Sequence, residues 1–225
     1  MKCSVIIPVF NEAAGINETL RHVNNLDPRA ELIVSDGASG GNTLKAVSLP
    51  GVVQVSSPCP CRGLQMNLGA EAASGDVFLF LHADARLPAG AFKKIEEVFR
   101  DKELAAGAFS LKIDSPHPLL RLISCTANLR VSLTGIPYGD QGIFIRRSFF
   151  SGIGRFRAIP LFEDVDLMRR IRRSGRKIAL LKEEVSVSAR RWERDGIVRT
   201  TLRNHLIRIL YSAGSAPEKL ARLYG

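Results

Sequence analysis

The most constraining feature of the sequence is an alternation between short apolar runs and segments with helical periodicity. Residues 3–9 form a β-branched run around Pro8, and shorter runs follow at residues 31–35, 51–55 and 77–81. Runs of this length and composition predict buried strands. The apolar spacing between them predicts helices over residues 16–25 and 62–73. Alternation of this kind predicts an α/β fold, a mostly parallel sheet covered by helices on both faces.

The pattern continues less regularly after residue 88. It predicts helices from about residue 88 to 100 and at residues 119–133, 163–174 and 195–211, and strands at 107–113, 141–145 and 178–187, the last as one strand or two. We find no internal repeat and no low-complexity segment. A chain of 225 residues has the size of one α/β unit, so we expect a single domain over residues 1–225.

The composition is that of a globular protein, with 45% hydrophobic and 24% charged residues. The longest apolar run, at residues 77–81, is far shorter than the roughly 20 residues that span a bilayer. The N-terminus lacks a secretory cleavage pattern. The four cysteines include Cys59 and Cys61, which are too close together for a disulfide framework. We therefore expect reduced thiols and a cytoplasmic protein.

The positive charge is concentrated in the second part of the chain. Residues 1–100 carry 9 Lys and Arg against 10 Asp and Glu, whereas residues 101–225 carry 23 against 12. This asymmetry favours an anionic partner such as a diphosphate, a phospholipid surface or nucleic acid. The alternative is a solvated, arginine-rich exterior.

Polar residues directly follow three of the predicted strands. They are Asn11 with Glu12, Asp36, and the stretch from His82 to Asp84. Ligands of parallel α/β sheets bind beyond the carboxyl ends of the strands, which is where these residues lie. No glycine-rich phosphate loop follows the first strand, and this excludes the dinucleotide-binding and P-loop classes. Carboxylates at this edge instead favour a base and ribose site beside a divalent cation bound to a diphosphate.

Each of these acidic residues also has a structural alternative. Asp36 precedes Gly37 and Asp84 lies in a loop, so either carboxylate could simply form a turn. Glu163 and Asp164 open a helix, where acidic side chains stabilise the helix dipole by roughly 0.3 to 1 kcal/mol. The functional alternative for this pair is base catalysis beside the semi-buried residues 160–162, which would raise a carboxyl pKa.

Arginines and the single tryptophan provide further candidate ligands. Arg62 near a predicted helix start and the neighbouring guanidinium groups of Arg190 and Arg191 are suited to a diphosphate. Trp192 offers a flat face for a sugar, with a place in the core as the equal alternative.

Five motifs in order resemble those of the family 2 glycosyltransferases. They are the opening strand and loop at 4–12, the aspartate turn at 34–39, the helix at 65–70, the segment 81–88 in the place of an Asp-X-Asp metal motif, and the acidic pair Glu163-Asp164. The resemblance implies the GT-A fold, a Rossmann-like sheet flanked by helices. Residues 1–100 would then bind the donor, and residues 101–225, with their basic C-terminal helix, would bind the acceptor.

The resemblance also implies an activity, the transfer of a sugar from a nucleoside-diphosphate sugar to a hydroxyl group with inversion. Asp164, with Glu163, is implied as the general base, and Asp140 and Gln141 as candidates on the acceptor side. The implied contacts of the nucleotide sugar and its metal are Pro8, Phe10, Asn11, Glu12, Asp36, Arg62, Asn67, His82, Ala83, Asp84, Arg191 and Trp192.

The implied metal is Mn²⁺ or Mg²⁺, held by Asp84 and His82. His82 departs from the family pattern, which has an aspartate there, and an imidazole tolerates manganese better than magnesium. This variant, with the motifs around Asn67 and Trp192, resembles a bacterial subgroup described as arsenosugar-biosynthesis glycosyltransferases.

Two other classes remain open from the sequence. A basic helix near residues 197–210 favours peripheral contact with a membrane, which is compatible with a lipid-linked acceptor. The other class is a sugar-nucleotide-binding protein without turnover. We expect no nucleic-acid partner, because aromatic residues are only 7% and no binding motif is present.

Overall fold

A computed structural model describes residues 1–224 of the protein. Its strands are β1 (Cys3–Val9), β2 (Glu31–Asp36), β3 (Val53–Ser56), β4 (Val77–Phe80), β5 (Ala85–Arg86), β6 (Leu104–Asp114), β7 (Ile143–Arg146) and β8 (Lys177–Ser188). Its helices are α1 (Ile16–Leu26), α2 (Asn42–Ala46), α3 (Arg62–Ala72), α4 (Ala91–Val98), α5 (Pro118–Thr134), α6 (Arg147–Gly152), α7 (Glu163–Arg173), α8 (Arg190–Asp195), α9 (Ile197–Ser212) and α10 (Pro217–Tyr224). A short 3₁₀ helix covers Gly139–Gln141.

All of these strands join one sheet in the order β3-β2-β1-β4-β7-β6-β8-β5. The pairs β3-β2, β2-β1, β1-β4 and β6-β8 are parallel. β7 is antiparallel to both of its neighbours and β5 is antiparallel to β8, so the other six strands share one direction. This confirms the predicted α/β fold with a mostly parallel sheet. β7 also joins the two parts of the chain, because it pairs with β4 and with β6.

Helices cover both faces of the sheet, and β1 shows how. Val5 and Ile7 face the layer that contains α1, whereas Ile6 faces the layer that contains α3 and α7. Successive side chains of a strand point to opposite faces, so a strand between two helical layers must be apolar at every position. This explains why residues 5–9 are a continuous apolar run; the buried Ser4 before them donates to Glu31 Oε2 at 2.5 Å.

The long elements lie close to their predicted bounds, whereas several short ones were not predicted. β3 begins at Val53 rather than at Gly51, and residues 178–187 form a single strand, β8. Gln141 was predicted to begin a strand, but it ends the 3₁₀ helix and β7 starts at Ile143. The elements that the sequence pattern missed are α2, β5, α6, α8 and α10. Helices of five to eight residues are marginal by themselves, so tertiary contacts decide whether they form.

None of the helices in residues 1–224 combines the length and the apolar composition that crossing a bilayer requires.

Candidate active site

The polar residues that follow β1, β2 and β4 meet at one edge of the sheet. These three strands are parallel neighbours, and Val9 at the end of β1 is in register with Asp36 at the end of β2. The carboxyl ends of the strands therefore place the segments 10–12, 36–38 and 82–84 side by side, as the sequence pattern predicts.

Asp36 presents a buried carboxylate oxygen at this edge. The side chain is only 1% exposed. Its Oδ1 accepts a hydrogen bond from the Ala38 backbone N–H at 2.9 Å, and its Oδ2 has no partner within residues 1–224. A buried carboxylate oxygen without a donor is costly, so this atom is suited to an N–H or O–H of a ligand. Phe10 is exposed beside it, and Asn11 adopts a left-handed backbone conformation with φ of 58°.

Gln65, which the sequence did not single out, and Gly37 of the predicted turn hold Asp36 in place. The Gln65 side chain donates to the carbonyl oxygens of Val9 and Ser35, at 2.7 and 2.8 Å, and so joins the ends of β1 and β2. Gly37 permits a close crossing of the chain, because a Cβ there would lie 2.6 Å from Pro60 Cα. The pair Asp36-Gly37 is thus a turn as well as a candidate ligand site.

A narrow central pocket contains the predicted general base. Asp164 lies in the first turn of α7, where its Oδ1 accepts from the Val165 backbone N–H at 2.6 Å. Its Oδ2 accepts from the Gly139 N–H at 2.5 Å, which ties α7 to the 3₁₀ helix. Pro8, Arg62, His82, Gly139 and Glu163 line the same pocket.

Glu163 is buried next to Asp164, with its side chain 3% exposed. Its Oε1 lies 3.5 Å from Arg62 Nη1. Burial, together with the Asp164 carboxylate, raises the pKa of Glu163 to about 7, and Arg62 opposes this rise. The Glu163 carboxyl group therefore keeps its proton to a higher pH than a free carboxyl group does.

His82 faces the same pocket as a neutral imidazole. Burial, with a smaller effect of the Arg62 cation, lowers the pKa of His82 to about 3. Its Nε2 is buried and has no hydrogen-bond partner within the described chain. A Cβ on Gly139 would lie 3.4 Å from this nitrogen and 3.2 Å from Asp164 Oδ2. A side chain at residue 139 would therefore crowd both the imidazole and the carboxylate.

The acceptor-side candidates follow α5. Burial, and next the Asp164 carboxylate, raises the pKa of Asp140 to about 6. Gln141 is buried, and its side chain donates to the Phe109 carbonyl and accepts from the Tyr138 N–H, both at 3.1 Å. The Arg130 guanidinium lies 3.6 Å from the centre of the Tyr138 ring. Gln141 therefore shapes the loop, whereas Asp140 contributes charge near Asp164.

A second, open cleft of about 300 Å³ contains Glu12 and Asp84. Arg190 Nη2 lies 3.3 Å from each carboxylate oxygen of Glu12 and 3.4 Å from Asp84 Oδ2. His82 lines the central pocket instead. The structure thus places Asp84 with Glu12 and Arg190, and the predicted metal ligands His82 and Asp84 line different cavities. Within residues 1–224 no cluster of three or more His, Cys, Asp or Glu side chains could hold a metal.

The comparison with protein families decides the classification. The family described as "Glycosyl transferase family 2" matches residues 4–159, more than two thirds of the chain. The chain belongs to glycosyl transferase family 2. No curated protein sequence matches this family 2 chain closely enough to count as a relative.

Solved structures of low sequence identity share the fold of this family 2 chain. The mannosyltransferase PcManGT from Pyrobaculum calidifontis, in complex with GDP-Man and Mn²⁺, has a TM-score of 0.73 and 21% identity, over 99% of this chain and 67% of its own. S. aureus TarS 1–349 has a TM-score of 0.65 and 18% identity, over 100% of this chain and 70% of its own. TarS 1–349 in complex with UDP-GlcNAc has a TM-score of 0.64 and 19% identity, over 84% of this chain and 58% of its own. These neighbours confirm the GT-A glycosyltransferase fold.

Several residues predicted to contact the donor make contacts within the family 2 chain itself. The Asn67 side chain exchanges hydrogen bonds of 2.9 and 3.1 Å with the backbone of Phe156. The Ala83 carbonyl accepts from the Thr19 hydroxyl at 2.5 Å. Asn67 therefore holds a loop that borders the central pocket, and Ala83 ties the segment after β4 to α1.

Arg191 and Trp192 lie away from Glu12 and Asp84. Arg191 donates to the Tyr224 hydroxyl, and its guanidinium lies 4.2 Å from the centre of that ring. Trp192 packs half-buried against the core layer that contains α1. This position fits the alternative in which Trp192 belongs to the core. Of the two arginines that the sequence offered for a diphosphate, Arg190 is the one that reaches Asp84.

Proposed function

We propose that the protein transfers a sugar from a nucleoside-diphosphate sugar to a hydroxyl acceptor with inversion, and that Asp164 is the general base. The observation that carries this proposal is the position of Asp164. Its carboxylate borders the same pocket as His82 and Arg62, at the sheet edge where the segments after β1, β2 and β4 meet. A base at this position would be close both to the donor sugar and to the acceptor hydroxyl group.

The nucleoside would occupy the edge formed by β1 and β2. The free Oδ2 of Asp36 would accept a hydrogen bond from the base or ribose, and the exposed Phe10 ring would cover the base. Asn11 and Glu12 would border this ligand. The diphosphate would then extend toward the cleft that contains Asp84 and Arg190.

The carboxylates in this cleft fit a divalent cation. Mg²⁺ and Mn²⁺ bind oxygen ligands, commonly one or two carboxylates together with substrate phosphates. Asp84 and Glu12, which already share the Arg190 guanidinium, would hold the metal. When bound, the cation would supply positive charge to the departing diphosphate. We propose this set of ligands instead of the pair Asp84 and His82 that the sequence predicts, because Glu12 and Asp84 line the same cleft.

The transfer would proceed as a single displacement at the anomeric carbon. The acceptor oxygen forms the new glycosidic bond while the bond between the anomeric carbon and the diphosphate oxygen breaks. The acceptor proton passes to Asp164, and the electron pair of the broken bond leaves with the nucleoside diphosphate. Arg62, which lines the central pocket, and Arg190, which pairs with Asp84, would stabilise the negative charge of the leaving group.

The surrounding carboxyl groups limit the negative charge in the pocket. The pKa values of Glu163 and Asp140 are raised by burial and by Asp164. Both groups therefore bind a proton more readily than free carboxyl groups. A protonated Glu163 or Asp140 could donate a hydrogen bond to a sugar hydroxyl near the reacting centre.

The replacement Asp164→Asn tests the proposal. We expect transfer to fall by about 10² to 10⁴, the usual contribution of a positioned base. Donor binding, measured by calorimetry or thermal shift with GDP- and UDP-sugars, should stay within about twofold, because the carboxylate acts on the acceptor. Asp76→Asn, at an exposed carboxylate that accepts from the Lys2 N–H, is the matched control.

The same measurements separate the alternatives. A loss of donor affinity in Asp164→Asn equal to the loss of transfer would contradict the role as base. Donor binding by the wild-type protein without product, across a panel of hydroxyl acceptors, would favour the sugar-nucleotide-binding protein without turnover.

A further inference from the structure

Helix α5 exposes a stripe of leucines. Leu119, Leu122, Leu129 and Leu133 are between 42% and 78% exposed, and their spacing of three, seven and four residues places them on one helix face. The opposite face is attached to β6. Ser124 Oγ accepts from the Ile113 N–H at 3.0 Å, and Asn128 exchanges hydrogen bonds of 2.7 and 2.9 Å with the Leu111 backbone.

Helix α9 repeats this arrangement. Val198, Leu202, Leu206 and Ile209 are between 55% and 65% exposed, at spacings of four, four and three residues. Thr200 and Ile207 are buried on the opposite face. Eight large apolar side chains on two helices are thus exposed, whereas amphipathic helices usually turn this stripe toward a core.

The C-terminal halves of the two helices lie near each other, since burial acts together with the Arg208 cation of α9 to lower the pKa of Arg130 of α5. At their N-terminal halves, Ile123 of α5 and Ile197 of α9 pack against the same core layer. Their C-terminal ends contact opposite ends of α7: Arg172 in its last turn donates to the Thr134 carbonyl, and the Tyr211 ring stacks on Phe162, the residue before α7, with 4.2 Å between centroids. The two outward stripes are here named together the α5/α9 face.

The charge of these helices favours an anionic partner. Arg121 and Arg130 on α5 and Arg199, Arg203 and Arg208 on α9 are their only charged side chains of fixed sign; neither helix contains Asp or Glu. Arg121 and Arg199 are exposed beside the leucines. If a second copy of the chain bound here through the same face, the positive charges of the two faces would repel each other. An apolar stripe bordered by arginines instead complements a bilayer, where leucines enter the acyl boundary and arginines meet phosphate headgroups.

We propose that the α5/α9 face docks the protein on a bilayer that contains anionic phospholipids. This inference rests on the proposed function where it concerns the acceptor. The two helices end beside the central pocket: Tyr138 and Gly139 follow α5, and Tyr211 of α9 stacks on Phe162, two residues before Asp164. Docking through this face would bring the lipid surface to the acceptor side of Asp164. The acceptor class would then be a hydroxyl group on a membrane-embedded or lipid-linked molecule.

Vesicle co-sedimentation of the full chain tests the docking. Vesicles of phosphatidylcholine alone are compared with vesicles that contain 30–40% phosphatidylglycerol, at about 0.1 M salt. We expect the wild-type protein to bind the anionic vesicles at least about tenfold more tightly than the neutral ones. Leu202→Gln/Leu206→Gln should weaken binding to the anionic vesicles by about tenfold or more, and Arg121→Gln/Arg199→Gln by about tenfold.

Matched control variants replace exposed cations and an exposed leucine at positions outside the α5/α9 face. Arg100→Gln/Lys102→Gln removes two exposed cations after α4, and Leu180→Gln removes an exposed leucine from β8. Both should bind anionic vesicles as the wild type does. Thermal melting followed by circular dichroism checks that each variant is folded. We expect Tm values close to that of the wild type, because all of the changed side chains are exposed.

Two outcomes would overturn the docking proposal. One is the absence of wild-type binding to anionic vesicles. The other is equal binding by the wild type and the leucine variant. A dimer seen by light scattering that the leucine variant dissociates, without vesicle binding, would assign the face to a second copy and reject the bilayer.

Donor binding, measured without vesicles, tests the proposed function separately. Vesicle binding in a protein that binds no nucleotide sugar would support the docking and contradict the transferase.

Discussion

Replacing Arg190 with glutamine tests whether its guanidinium and a divalent cation share the same carboxylates. Arg190 Nη2 lies 3.3 Å from both oxygens of Glu12 and 3.4 Å from Asp84 Oδ2, where the proposed cation would also bind. A cation that binds there has to displace the guanidinium. We therefore expect Arg190→Gln to bind Mn²⁺ more tightly than the wild type in the absence of donor.

The size of the effect follows from the exposure of the ion pairs. The Arg190 side chain is 61% exposed, and Glu12 and Asp84 are 27% and 35% exposed. An exposed ion pair contributes about 0 to 1 kcal/mol, so two such pairs contribute about 1 kcal/mol together. At about 1.4 kcal/mol for each tenfold change, the Mn²⁺ dissociation constant should fall about fivefold. The difference between variant and wild type should shrink at high salt.

Calorimetry or the electron paramagnetic resonance signal of free Mn²⁺ measures this constant directly. Asp84→Asn should weaken Mn²⁺ binding, and Arg194→Gln is the control, because Arg194 lies on the same helix but pairs with Asp195 at 2.7 Å. Equal Mn²⁺ affinity in Arg190→Gln and the wild type would refute the shared site. In the absence of metal, Arg190→Gln should bind the donor more weakly than the wild type, because residue 190 would no longer contact the diphosphate through a guanidinium group.

Three further predictions concern the edge and the central pocket. Asp36→Asn should weaken donor binding by about tenfold or more in calorimetry, since it removes a charged hydrogen-bond acceptor; unchanged affinity would exclude Asp36 from the donor site. The pKa of Glu163 is raised from 4.5 to about 7, so the native protein holds this proton better than the unfolded chain and the free energy of unfolding falls as pH rises through that window. Glu163→Gln should therefore gain Tm relative to the wild type between pH 5 and pH 8, and a constant difference would contradict the burial argument. Gly139→Ala should lower kcat by about tenfold with donor affinity retained, because the new Cβ would lie 3.2 Å from Asp164 Oδ2 and 3.4 Å from His82 Nε2. A variant with the kcat of the wild type would show that catalysis does not require the space beside these two atoms.

The sequence predicted the long elements well, because their signals are local. β1 requires a continuous apolar run between two layers, and α1 and α7 carry their apolar residues at helical spacing. α2 and β5 carry no comparable signal, since each consists of five residues or fewer. Gln141 was placed in a strand because its neighbours are apolar, whereas its own side chain bonds to Phe109 and Tyr138 and holds a turn.

The residues of the candidate site likewise include some that the sequence predicts and others that only the fold reveals. Asp36 and Asp84 could be predicted at one edge, because parallel strands bring the residues that follow them together. Gln65 could not be recognised as the link between two strand ends, since its partners lie 56 and 30 residues away. The contact between Arg190 and Glu12 spans 178 residues.

By itself, the sequence determined the α/β class, the strand ends that carry the acidic residues, and the motifs that resemble the family. These properties depend on residue type and short spacing, which the chain displays directly. Only the tertiary structure decided that His82 and Asp84 line different cavities, that Arg190 rather than Arg191 meets Asp84, and that α5 and α9 expose their leucines together. Those outcomes depend on distances between segments far apart in the chain, which are set by how the layers pack.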